Sequence, residues 1–520
     1  MKKIKLPLLV LIPVLLCAGC GGTDNNSSVS ESKDVVESTV TSEKQEEAIA
    51  YKGMVGDTIS IDVADSNVTV FFQKTGIAEA LVEGKTIKIT LLKEGETKFE
   101  IRSSNKSEYR NLTVYDFSFS GYESTPIGKS IKLSKSKDEA KFSVSDKSIA
   151  TIDQDGNLTG IKEGNVTVSL TYDEVSFEKD ILITKEEDTI QKFYRNSTYL
   201  KFHGRDEFNV DSVSMDDEAA GFEATFYGTN LSCEMEGWYA SYYGPTMFSV
   251  IIDDSDDYNS NSFKFTTASS AEYTLAKNLE KGFHTVKVLK RTEAGATFAT
   301  MTSLTTDGYF VKAETKDKLK LEAYGDSITA GYGNMRSSTQ ADGTNSDIQN
   351  TLMTYECVAS RILDADINVM ARSGIGLGVA PNIVGDYNMN TRYEYMTPLS
   401  DTKWNMHNYI PDVVIINLGT NDSWSGKFDR NTFVTEYVTL VKNLISCYGD
   451  DVSFVLCCGL METGVFPVIQ NYVYPKLLKE GISNIATLKF DKSTSNGHPL
   501  KDEHQAAGEK LAATIKELIA

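Results

Sequence analysis

A serine, a side-chain amide and a histidine stand on turns in the C-terminal part of this chain, and together they could carry nucleophilic acyl transfer. Lys320-Leu321-Glu322-Ala323-Tyr324 reads as a strand, and Gly325-Asp326-Ser327-Ile328-Thr329 follows it directly. A serine on a tight turn past a strand can hold its hydroxyl toward a crevice as a nucleophile, although a plain turn accounts for the Gly-Asp-Ser triplet equally well when it is taken alone. The run Asp412 to Leu418 ends in Gly419-Thr420-Asn421-Asp422, which brings an amide donor to the same sheet edge. The chain has five histidines. His203 and His284 fall in β-rich sequence, His407 in a loop, and His504 in the last helix, where a packed or capping role fits best. His498, held between Gly497 and Pro499 on a loop, is the candidate base, because a free imidazole titrates near 6.5 and can take a serine proton at neutral pH.

The elements that must position these residues alternate. Strand-like runs at 320–324, 367–371, 411–418, 452–456 and 485–490 are separated by helical patterns, among them Thr432 to Cys447 and a last helix from Asp502 to Ile519. Such alternation implies a parallel sheet covered on both faces, with its chemistry beyond the carboxyl ends of the strands.

Four blocks then become recognisable: Gly325-Asp326-Ser327, Gly374 within Ala371-Arg372-Ser373-Gly374-Ile375-Gly376, Gly419-Thr420-Asn421-Asp422, and His498-Pro499. They resemble the blocks of the SGNH (GDSL-like) hydrolases, in the family's order, with 47, 47 and 77 residues between Ser327, Gly374, Asn421 and His498. A β-rich region directly before them, with Gly204-Arg205, Gly331-Tyr332-Gly333, and His504 after His498, narrows the resemblance to carbohydrate esterase family 2 over about residues 190–520. That resemblance implies an acetyl esterase of plant polysaccharides such as xylan and mannan, with no metal or organic cofactor. It implies Ser327 as nucleophile, His498 as base and then acid, and an oxyanion hole of the Ser327 and Gly374 amides with the Asn421 side chain. Trp424, three residues past Asn421, is a candidate for stacking on a sugar, with a core role the equal alternative.

The family usually carries an aspartate three residues before its histidine. Here that position is Ser495, Asn496 is no acid, and Asp491 lies seven residues upstream of His498. Since some family 2 esterases are similar in using a Ser–His pair, the expectation is a Ser327–His498 dyad whose imidazole is oriented by a neutral acceptor.

The rest of the chain reads as delivery. Lys2, Lys3 and Lys5 precede an apolar run from Leu6 to Leu16, too short for a bilayer span. It ends in Leu16-Cys17-Ala18-Gly19-Cys20, which resembles a bacterial lipobox and implies lipidation of Cys20 and display on the outer face of the cell membrane. Residues 21–50 contain no aromatic side chain and read as a disordered tether. Val55-Gly56-Asp57-Thr58-Ile59 recurs as Ile127-Gly128-Lys129-Ser130-Ile131, and Lys93-Glu94-Gly95 as Lys162-Glu163-Gly164, offsets of 72 and 69 residues that indicate two copies of one β module. The second copy resembles a bacterial Ig-like group 2 domain. The expected organisation is a signal peptide (1–20), the tether (21–50), two Ig-like sandwiches (51–116 and 117–186), a jelly-roll β-sandwich (187–315) and an α/β/α hydrolase domain with a parallel sheet (316–520). Within the jelly roll, Trp238, Tyr239, Tyr242 and Tyr243 could face a sugar, with strand core the commoner fate of such a cluster.

A net charge of −21 argues against a nucleic-acid partner, which needs a basic face. Five cysteines follow the signal segment, an odd number without C-x-x-C spacing, and read as buried free thiols. The leading expectation is therefore a lipid-anchored esterase of acetylated polysaccharides. An esterase of cell-wall or exopolysaccharide acetyl groups and a non-catalytic glycan-binding lipoprotein are the alternatives.

Overall fold

A strand rich in apolar residues on both sides needs cover on both faces, and five strands, of which Val413–Asn417 and Ser453–Leu460 are nearly continuous in apolar residues, shape the C-terminal half. The computed structural model describes residues 49–520 apart from 105, 186–189, 193–197, 254, 265–269, 344, 379–386, 425 and 427. The strands are β1 (Lys320–Gly325), β2 (Asp366–Ala371), β3 (Val413–Asn417), β4 (Ser453–Leu460) and β5 (Ile485–Lys492). They form one parallel sheet in the order β2-β1-β3-β4-β5. The helices that matter here are α1 (Ser327–Ala330), α2 (Tyr355–Ile362), α3 (Thr420–Trp424), α4 (Arg430–Tyr448) and α5 (Lys501–Leu518).

The two-residue period of the strands divides the core. Leu321, Ala323, Val413, Ile415, Val455 and Cys457 point to one face, where Tyr355 and Ala359 of α2 and Leu511, Ala512 and Ile515 of α5 cover them. Tyr324, Val414, Ile416, Phe454 and Leu456 point to the other, under Phe433, Tyr437, Leu440, Val441 and Leu444 of α4. The sheet order reverses at β1, so the crevice between the ends of β1 and β3 is the topological switch point, where such sheets bind ligands.

Ahead of this layer lies a β-sandwich, one sheet containing Leu231–Tyr239, Ala271–Ala276 and Thr297–Thr306, the other Gly221–Gly228, Met247–Ile252 and Gly282–Lys290. It does not hang from the hydrolase layer as a spacer. Ala219, Ile251 and Leu289 pack against Ala330, Leu352, Val369 and Ala371. Arg205, 1% exposed, reaches across to Glu322 (2.9 Å), the Tyr324 hydroxyl (2.8 Å) and the carbonyls of Tyr393 and Tyr395. Breaking one partner of such a buried pair costs about 3–5 kcal/mol, so the two units are one folding entity in energetic terms.

The repeated modules share a topology that explains their shared sequence. In each, an early strand pairs in parallel with the last: Ala50–Met54 with Ser107–Tyr115, and Ser124–Pro126 with Val175–Thr184. Gly95 and Gly164, matched in the repeat, adopt the same backbone at φ +150° and +148°. Each module buries its own core. The second is also pinned to the sandwich by Glu123, which bonds Lys312 and Thr315. The signal segment with Cys20, and the tether up to residue 48, lie outside the described residues. Ala50, assigned to the tether, already belongs to a strand. Cys233, Cys357, Cys457 and Cys458 are buried free thiols and Cys447 is half-buried.

Candidate active site

Register brings the separated motifs to one edge. Gly325 stands beside Ala371 on β2 and Asn417 on β3. Ser327 is two residues past that line, Gly374 three and Asn421 four, so all three emerge at the carboxyl edge around the switch point. Asp326 accepts a hydrogen bond from the Ile328 amide at the start of α1, which fixes the turn carrying Ser327. Asn421 Nδ2 donates to the Ile375 carbonyl (2.9 Å) and lies 3.4 Å from Asp326 Oδ2, tying the three turns together. Burial pushes the Asp326 carboxyl up to about 7, against the pull of the Ile328 amide.

His498 completes the pair. The Ser327 hydroxyl donates to His498 Nε2 across 2.7 Å, inside the range for direct proton transfer. The imidazole lies under Tyr332, ring centroids 4.3 Å apart.

The orienting group differs from the expected neutral acceptor. His498 Nδ1 donates to Asp342 Oδ2 at 2.7 Å, and the His498 backbone amide donates to the same oxygen at 3.0 Å. The arrangement is therefore a Ser327–His498–Asp342 triad, and the dyad reading is corrected. Ser495, the position of the family's usual acid, instead donates to Glu503 Oε2, as do the Ser493 hydroxyl and the Leu500 amide. Asp491 pairs with Lys510 on the surface. The carboxylate has moved to a loop 156 residues before the histidine, and the surrounding chain makes room for it. A Cβ on Gly497 (φ +97°) would stand 2.4 Å from Asp342 Oδ2, and one on Gly333 (φ +61°) 2.7 Å from Oδ1, so the acid occupies a cradle that two glycines leave open. Burial opposes its charge, but the hydrogen bonds from His498 outweigh it and hold the carboxyl below its ordinary range.

Arg336 fastens the histidine loop from beneath. Its Nη2 donates to the Asn496 carbonyl (2.9 Å) and the His498 carbonyl (2.7 Å), while Nη1 lies 3.7 Å from Asp342 Oδ1. Glu503 clasps the other end of the loop. Burial works against its charge, yet the Leu500 amide and the Ser495 and Ser493 hydroxyls draw its carboxyl down to about 2. A depressed carboxyl stabilises the fold above its unfolded value and loses that contribution as pH falls through the folded value, so this clasp holds to well below neutral pH. Of the remaining candidates, His504 is buried with Nδ1 facing the Tyr355 amide at 3.3 Å, a packing role. Trp424 is 58% exposed at the end of α3, which excludes the core alternative. Among the described residues no group of three or more His, Cys, Asp and Glu side chains is placed to hold a metal ion.

Comparison with known sequences matches residues 321–518 to the GDSL-like lipase/acylhydrolase family, residues 202–312 to the carbohydrate esterase 2 N-terminal domain, and residues 124–182 to the bacterial Ig-like domain (group 2). Residues 321–518 are a GDSL-like hydrolase domain. The sandwich before it is the N-terminal domain of carbohydrate esterase family 2. Among curated relatives, the cellulase/esterase CelE of Acetivibrio thermocellus is 32% identical over 312 residues, covering 56% of this chain and 36% of that protein. An acetylxylan esterase / glucomannan deacetylase of Cellvibrio japonicus is 25% identical over 332 residues, covering 62% of this chain and 89% of that protein. The chain thus spans about a third of the first relative's length and most of the second's. A family two carbohydrate esterase from Clostridium thermocellum, solved in complex with cellohexaose, superposes with a TM-score of 0.56 at 29% identity, over 62% of this chain and 99% of that one.

The sandwich also reaches the catalytic edge of the GDSL-like domain. Glu293, 2% exposed, accepts from the Ser373 amide (2.6 Å) and hydroxyl (3.0 Å) and pairs with Arg372 (3.0 Å), bracing the turn that presents Gly374. Sequence reasoning missed Glu293, Asp342 and Arg336, since none stands in a recognised block. Misplacing a reacting group by 1 Å can cost about 10²-fold in rate. Glu293→Gln is therefore expected to lower kcat on an acetyl ester by roughly 10- to 10²-fold with KM nearly constant, as steady-state kinetics would show.

Proposed function

We propose that this protein removes O-acetyl groups from plant-type polysaccharides as a serine esterase. Ser327 attacks the acetyl carbonyl while His498 Nε2 takes its proton, and Asp342 holds the imidazole in the tautomer this needs and stabilises the imidazolium. The oxyanion forms among the Ser327 and Gly374 amides and Asn421 Nδ2. Such donors act without reorganisation and are worth ~10²–10³ in rate each. His498 then returns its proton to the sugar oxygen, the acetyl group rests on Ser327, and a water activated by the same imidazole releases acetate. The observation that carries the reading is the hydrogen-bonded chain from Ser327 through His498 to Asp342 at the switch point. The relatives named acetylxylan esterase / glucomannan deacetylase support the choice of substrate class.

Acetate release from acetylated xylan, acetylated glucomannan and O-acetylated peptidoglycan tests it. Turnover of the first two well above the third is expected; preference for peptidoglycan, or no acetate from any of them, would overturn the reading. We further propose that Cys20 carries the lipid that holds the enzyme at the outer membrane face, on the strength of the lipobox-like segment. Metabolic labelling with a fatty-acid analogue should mark the native chain and not Cys20→Ala; equal labelling of both would sink that proposal.

A further inference from the structure

Of the four aromatics between 238 and 243, the fold buries one and displays two. Tyr243 is 2% exposed and bonds Gln349. Trp238 and Tyr242 are 46% and 68% exposed, and Phe298, on the neighbouring strand, is 39% exposed. Trp238 and Phe298 are direct cross-strand partners on the outer face of the sandwich, their rings 6.2 Å apart and within 22° of parallel. Thr246, fully buried, donates its hydroxyl to the Trp238 carbonyl (3.1 Å) and lies 3.4 Å from the Phe298 carbonyl, clasping both strands from below. The result is a flat, pre-ordered apolar surface, where exposure of two large rings costs stability without serving the core.

The strand that carries Phe298 is entered from the segment that braces the oxyanion turn. Arg372 pairs with Glu293 and donates to the Ala294 carbonyl (2.9 Å), two residues before Gly374. Phe298 is four residues past Ala294, on the strand that this segment enters. One segment of the sandwich, Glu293 to Phe298, thus braces the oxyanion turn at its start and carries a platform ring at its end.

We propose that Trp238 and Phe298 form a polysaccharide subsite of the sandwich, on which sugar rings of the substrate backbone stack while one of their acetyl groups occupies the site at Ser327. Aromatic faces meet the C–H faces of neutral pyranose rings, and a chain of net charge −21 disfavours a polyanionic polymer. The occupant is therefore a neutral, acetylated backbone. This rests on the polysaccharide deacetylase reading above and extends it to the length of chain the enzyme engages.

The test uses the full protein with two substrates, acetylated glucomannan and 4-nitrophenyl acetate, the latter without any sugar ring to stack on the platform. In Trp238→Ala/Phe298→Ala, KM for the polymer should rise about tenfold, since each aromatic contact is worth a several-fold change, while kcat/KM for the aryl ester stays at the wild-type value. Trp238→Tyr/Phe298→Tyr, which keeps both faces, should restore most of the polymer affinity. An unchanged polymer KM would overturn the subsite, and so would equal losses on both substrates, which would assign the pair a structural role. A wild-type enzyme that deacetylates no polysaccharide at all would instead defeat the underlying function, an outcome visible before any variant is made.

Discussion

Replacing Ser327 by alanine is expected to lower kcat for acetate release by on the order of 10⁵-fold or more, with the fold intact. Among the described residues, the Ser327 hydroxyl is the one bonded to the ring of the base His498, so it is the group placed to form the acetyl intermediate. Removal of the serine from a serine–histidine site typically costs about 10⁶ in kcat, leaving only what the oxyanion donors and binding contribute. The side chain is small, stands at the start of α1, and bonds only His498 among its described side-chain partners. Alanine therefore removes chemistry and little packing. Circular dichroism and thermal unfolding matching the wild type, together with loss of acetate release, are the expected results. Residual activity within tenfold of the wild type would mean that another group attacks the ester.

The second large effect belongs to Asp342. Asp342→Asn should reduce kcat roughly 10³- to 10⁴-fold, the scale set by loss of a triad carboxylate. An amide at this position can present its NH₂ to Nδ1 and favour the wrong imidazole tautomer, and it carries no charge to stabilise the imidazolium. The carboxyl titrates below its ordinary range because His498 bonds it through both ring and backbone. A depressed carboxyl contributes stability above its unfolded pKa and loses it as pH falls through the folded pKa. The wild-type loop should then hold the histidine through mildly acidic pH and release it only in stronger acid. Asp491→Asn is the matched control, since that carboxylate pairs with Lys510 and is 87% exposed; near-wild-type activity is expected of it. If the two variants behaved alike, Asp342 would not be orienting the base.

Ser327, Asn421 and His498 were legible in the chain because each sits where a local signal ends. Apolar runs terminate in glycine-marked turns, and a parallel sheet sends those turns to one edge whatever lies between them. The parallel sheet, its helix cover and the repeated β modules were legible for the same reason: strand and helical patterning, and glycines at matched offsets, are local properties that tertiary packing does not override. The identity of the third triad member was not local. Asp342 lies in a polar loop with no strand or motif to mark it, and it meets His498 only because Gly333 and Gly497 leave space for its carboxylate and Arg336 holds the histidine loop against it. Glu293 was hidden likewise, its partner turn being 80 residues away in another domain. The burial of Tyr243 beside exposed Trp238 and Tyr242 turned on which face of the sandwich the hydrolase layer covers. Chain patterning determines which residues reach the edge of a sheet; which charges meet there depends on loops and domain faces brought together through space.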